Sequence, residues 1–181
     1  MEMTVKGAPS GLHRWIFLWG TGCVLLLLGQ AVWRLTPLAL EPLGSAGPAV
    51  LVAYFAWVVF MAYSEGYRGF HQRFSPRVVA RAYHLGESPT PLRVLLALPF
   101  CMSLFHTTRK QRIVSWTLTL VIVGIVVAVR QLPQPWRGVI DGGVVIGLTL
   151  GAISILYYAA QALVGRVPKD AALPSEAMAH E

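Results

Sequence analysis

A chain of 181 residues with 55% hydrophobic and only 13% charged side chains, and a formal net charge of +7, departs from the soluble balance of about 45–50% apolar and about 25% charged. A soluble domain has too little interior to hide that much apolar surface, which excludes that class. Cys23 and Cys101, the two cysteines, both lie in apolar stretches, which excludes a disulfide framework and a cysteine-based metal site.

A membrane-spanning helix needs about 20 predominantly apolar residues to cross about 30 Å of hydrocarbon. The first such run, Trp15 to Trp33, follows Lys6, His13 and Arg14 and so has the charge arrangement of a signal peptide. It is too long for a signal-peptide core, no small-residue cleavage site follows it, and Arg34 closes it; residues 1–14 therefore read as a cytoplasmic N-terminus before a retained signal anchor. A second run, Ala46 to Tyr63, completes a first transmembrane hairpin over residues 15–63.

Residues 64–112 follow as a basic segment. Between Ser64 and Arg93 it holds Arg68, Arg73, Arg77, Arg81 and Arg93 but no lysine. Arginine offers carboxylates and phosphates a planar fork that lysine lacks. Ser75-Pro76 reads as a helix start, with Ser as N-cap and Pro at the first helical position. Behind it, Arg77, Arg81 and His84 fall near one face, Val78, Val79, Ala82 and Leu85 near the other, and Gly86 ends the helix. This predicts a basic amphipathic helix on the inner membrane surface, where each basic residue gains about 1 kcal/mol from anionic headgroups.

A second start, Ser88-Pro89-Thr90-Pro91, leads into Val94 to Phe105, about a dozen residues interrupted by Pro99 and too short for an ordinary span. If it lies in the interface or re-enters, of the 15 Lys and Arg residues only Arg34, Arg130 and Arg137 fall outside. If it spanned, Arg109, Lys110 and Arg112 would join them. The positive-inside rule favours the first arrangement. Trp15 and Trp116 then sit at the inner interface, and Trp33 and Trp136 at the outer one.

Ile113 to Val129 and Gly138 to Val164 make the second hairpin, residues 113–164, the latter run broken only by Asp141. The tail, 165–181, reads as disordered and cytoplasmic. The expectation is thus an all-α integral membrane protein with four transmembrane helices in two hairpins. An amphipathic or re-entrant helical segment joins helices 2 and 3 on the cytoplasmic side. Both termini are cytoplasmic, and the membrane is read as the bacterial inner one.

Three sets of residues carry candidate chemistry. Glu65 lies at the end of the second span, three residues from Arg68, and reads as one half of an ion pair or as a proton-carrying carboxylate; with Arg73, Arg77 and Arg81 the set is an interaction or anion-binding candidate. Asp141 is an intramembrane ionisable group four residues from Arg137, placed to pair with it or to form an ion site near the outer leaflet. Gly143, Gly147 and Gly151 recur every four residues, a small-residue groove for another helix of this chain or of a partner.

There is no phosphate-binding loop, nucleophile elbow, HExxH or CxxCH motif. His71, His84 and His106 share the basic segment but lack metal-ligand spacing, so no metal or other cofactor is expected, and basic loops are ordinary in a membrane protein, so no nucleic acid. The balance falls against an enzyme. The reading is a small multi-pass protein that acts by interaction, as an accessory or assembly subunit of a larger membrane complex, docking through the basic segment and the glycine groove. Its expected partners are the anionic bilayer surface and a protein or a second copy. The alternatives are an inner-leaflet enzyme acting on lipid phosphate, with the arginines as anion clamp, and a small transporter.

Overall fold

The computed structural model describes residues 3–5, 7–9, 11–105 and 107–168. Four helices are long and apolar enough to cross a membrane: Gly11–Ser45, Pro48–Glu87, Arg109–Val129 and Trp136–Leu163. Each covers all or nearly all of one of the four apolar runs, and two extend well beyond them.

The first helix, α1 (Gly11–Ser45), runs straight through Pro37 and Pro42. A proline inside a helix forfeits one hydrogen bond, which neighbouring helices can offset by packing on it. Pro42 is buried, and a Cβ built on Gly138 of the last helix would lie 2.5 Å from its ring.

The second helix does not stop at the membrane end predicted near Tyr63. It starts as α2 (Pro48–Met61), widens into a π-helix over Ala62–Phe74 and narrows again into α3 (Ser75–Glu87). The wide turn shows in the Ser75 N–H, which donates to the Phe70 carbonyl five residues back. Ser75 is therefore not an N-cap. Its residue is helical, and its hydroxyl donates instead to the Gly151 carbonyl at 3.4 Å. Gly86 does not terminate α3 either; it is buried inside the helix, where a side chain would collide with His13.

The stretch Val94 to Phe105 forms no helix long enough to cross a membrane. It forms two five-residue helices, α4 (Pro91–Leu95) and α5 (Ala97–Cys101). Next come α6 (Arg109–Val129) and α7 (Trp136–Leu163). A small antiparallel sheet joins the two outermost described segments, in which β1 (Met3–Val5) pairs with β2 (Arg166–Pro168), Met3 opposite Pro168 and Val5 opposite Arg166. The start of the supposed disordered tail is thus an ordered strand; from residue 169 on, that expectation lies outside the described residues.

The core is built by α1, α3, α5 and α7 around Phe17, Val24, Val79, Leu85, Phe100 and Ile155. Helix α3 sits in the middle of it, and ten of its residues are buried, Arg81 among them. That corrects the expectation of an amphipathic helix lying on the membrane surface. Its side opposite the valines is covered as well, because α5 folds back on it.

Candidate functional site

The glycine groove of α7 is occupied by this chain's own second helix. A Cβ on Gly143 would come within 2.5 Å of the Trp57 indole, one on Gly147 within 3.2 Å of the Glu65 Cβ, and one on Gly151 within 2.5 Å of the Phe70 ring. Gly143 and Gly151 therefore hold α2 and the π-helix at a distance that a larger residue would force to open, while at Gly147 the neighbour would have to give by a few tenths of an ångström. Docking of a partner into this groove, expected from the sequence, is overturned because the groove is already filled.

These contacts also relocate Glu65. At 1.5 Å per residue, Gly147 lies about 16 Å from the first residue of α7 and about 24 Å from the last. Any stretch of about 30 Å of hydrocarbon laid on this helix leaves Gly147 at least about 5 Å inside it. Glu65 packs at the level of Gly147, away from either end of α7. It is exposed on the outside of the bundle, with its carboxylate turned toward Gly69.

The expected Glu65–Arg68 ion pair does not form. With i→i+5 hydrogen bonds, side chains four and five apart become neighbours, and those three apart are turned away from each other. The four-residue neighbours do meet: Tyr63 stacks on Tyr67 with ring centroids 6.1 Å apart, and Tyr67 on His71 at 5.7 Å. His71 in turn lies 5.3 Å from the Tyr158 ring, and its Nδ1 is 3.0 Å from the Ser154 hydroxyl. This ladder was missed in the sequence, although the four-residue spacing of Tyr63, Tyr67 and His71 was its visible signal.

The four arginines of the anion-binding candidate separate. Arg68 and Arg73 are exposed, Arg77 is half-buried, and Arg81 is fully buried at 0% exposure. Its Nε donates to the Phe100 carbonyl at 2.9 Å and its Nη2 to the Phe105 carbonyl at 3.2 Å, while the guanidinium sits 4.9 Å from the Phe100 ring centre. Arg81 is thus a clamp that holds α5 and the loop behind it onto α3, and it is not available to a phosphate ligand as the sequence reading supposed. The planar fork that suggested anion binding serves backbone carbonyls instead.

Seating of α5 also buries Cys101. Burial pushes its thiol up to about 12; the Arg81 charge acts in the opposite direction and Cys23 in the same one. Only the thiolate reacts, so at about pH 8 Cys101 stays unlabelled by maleimide in the folded protein and is labelled once denaturant is added. Equal labelling rates in the two states would show that α5 is not seated.

Asp141 pairs with Arg137 as its spacing suggested, Oδ2 to Nε at 3.6 Å, near the other end of α7. That distance is too long for a hydrogen bond, and among the described residues neither atom has another partner. Charges at the centre of a span stand at about 2.5–3.5 kcal/mol each on insertion scales and cost less near its ends, so the pair shares a smaller burden rather than strengthening the fold. Among the described residues no three His, Cys, Asp or Glu side chains gather as a metal-ligand set; His106, one of the three histidines of the basic segment, lies outside those residues.

Helix α6 stands apart. Among the described residues no other helix packs along it, only Ser115 is buried, and apolar side chains are exposed all round, from Ile113 through Leu120 to Val127. Its tether to the rest is at its ends, where Trp116 meets Phe105 with ring centroids 6.4 Å apart. No family model, curated protein or solved structure matches this chain, so its function is to be read from its own geometry.

Proposed function

We propose that this chain is a non-catalytic accessory or assembly subunit of a larger membrane complex, with α6 as the helix it presents to the partner. The observation that supports this reading is the contrast between α6 and α7, two spans of similar hydropathy. Of their most apolar windows, 44% is buried within the chain for α7 and 11% for α6. Association of spanning helices is driven by packing rather than by hydrophobicity, and among the described residues α6 has spent little of its packing surface inside its own chain.

The pairing of β1 with β2 supports a topology with both chain ends on one side, and the arginine distribution supports the cytoplasmic side of a bacterial inner membrane. The competing lipid-phosphate enzyme is weakened because Arg81, the deepest of its proposed anion ligands, is committed to two backbone carbonyls.

The test is affinity purification of a tagged copy from its native membrane in mild detergent. The wild-type chain should carry one protein in fixed ratio. A variant in which Thr117–Val129 is replaced by a leucine-alanine helix of the same length, with Ser115 and Trp116 kept, should lose that protein and keep its own thermal stability, since a substitution at an exposed position away from special features changes stability by no more than about 0.5 kcal/mol. Retention of the partner by the variant, or a wild-type chain that comes through alone, refutes the proposal.

A further inference from the structure

The outer side of the second helix changes character along its length. Over α2 it is apolar, with Val52, Phe55, Val59 and Phe60 exposed; over the π-helix it becomes Glu65, Arg68, Gln72 and Arg73, all exposed, with the exposed Tyr63 and Tyr67 rings on the same helix. Glu65 stands at the level of Gly147, inside the hydrocarbon on any placement of α7. Just below that level, the exposed side chains of α7 itself, Ile153 and Leu156, are apolar. The bundle is therefore sided at this depth, with lipid-compatible surface on α7 and a polar wall on the π-helix.

Lipid tails cannot solvate such a wall, and charged groups at that depth face a partner or a water-filled cavity. Among the described residues neither Glu65 nor Arg68 has an ion-pair or hydrogen-bond partner in this chain. The π-helical turn prevents them from closing on each other.

We propose that a second copy of this chain covers the wall, related by a two-fold axis along the membrane normal, so that Glu65 of each copy meets Arg68 of the other. Charge complementarity singles out a copy as the occupant. One carboxylate and one guanidinium that flank this exposed side, each turned away from the other, satisfy each other twice under a two-fold, which is the defining property of an isologous interface. Two copies with the same topology also bring this wall to the same depth, and the long arginine side chain covers the three-residue offset. Arg73 lies further along, toward the end that carries β1 and β2.

This deepens the interaction reading but uses a different surface from α6, so the two stand or fall separately. The experiment is thiol crosslinking in native membranes, in a Cys23→Ser background where Cys101 is shielded. Gln72→Cys should crosslink to a dimer, and Val52→Cys, exposed on the apolar part of the same helix, should not. Glu65→Arg alone and Arg68→Glu alone should each lower crosslinking at position 72 about tenfold, and the double exchange should restore it. Protection of Cys101 from maleimide, read in the same samples, reports whether each variant is folded.

Crosslinking at 72 no greater than at 52 overturns the proposal, and so does a folded double exchange that fails to restore it. In the latter case the wall faces acidic lipid or a different protein. Loss of the dimer with the fixed-ratio partner still bound leaves the α6 reading intact, and the reverse outcome refutes only that reading.

Discussion

Replacing Arg81 with methionine is expected to lower the stability of the folded chain by about 3–5 kcal/mol, more than any other single polar substitution. Methionine fills much of the same volume, so the loss is not one of packing. It comes from two backbone carbonyls, Phe100 and Phe105, left without the guanidinium that serves them at 2.9 and 3.2 Å. Hydrogen bonds from a charged donor contribute about 1.5–3 kcal/mol each, and a buried acceptor that loses its donor retains its full desolvation cost. For a chain of this size the change corresponds to a midpoint roughly 10 °C lower in a thermal melt in mild detergent. The melt should be accompanied by exposure of Cys101 to maleimide, because α5 is what Arg81 holds down. Lysine at this position keeps the charge and loses the fork, and should recover at most half of the difference. A midpoint within about 2 °C of wild type would show that α5 is held by its apolar contacts alone.

The second large effect is expected at Gly151. A Cβ there would lie 2.5 Å from Phe70 Cδ1 and 2.7 Å from Cγ. The Phe70 ring is itself set edge-on against Phe74 with centroids 5.3 Å apart, so it cannot simply swing away. Gly151→Val must therefore push the π-helix off α7, and overpacking of this kind costs about 1–3 kcal/mol before the neighbouring His71–Ser154 contact is counted. An overall loss of about 3 kcal/mol is expected, read by the same melt. Gly124→Val on α6 is the control, since nothing lies within 4 Å of its Cβ position, and it should leave the midpoint unchanged. Equal effects at the two positions would mean that the penalty comes from the helix backbone and not from the contact with Phe70.

Several features were legible from short-range pattern. The four apolar runs depend only on composition over about 20 residues, and all four lie in long helices. That Val94 to Phe105 forms no single long helix followed from its length and from Pro99. The Arg137–Asp141 pair followed from four-residue spacing in a regular α-helix, and α7 is regular there. The same kind of argument failed at Glu65 and Arg68, because it assumed α-helical spacing where the backbone is π-helical. It failed again at Arg81, whose amphipathic pattern was read as if one side of α3 faced water.

What the sequence by itself determined is a membrane protein of four long apolar helices with a small-residue face on the last, because hydrophobic content and helical period are local properties of the chain. The tertiary structure decided which surfaces are free. Only the packing shows that the glycine face is closed by the second helix, that Arg81 clamps α5 instead of meeting a ligand, that Glu65 lies against Gly147, and that among the described residues no other helix packs along α6. The physical reason is that burial and depth are relations between segments far apart in the chain. A residue's type records what it can do, and its neighbours in space decide whether that capacity is used up inside the fold or left for a partner.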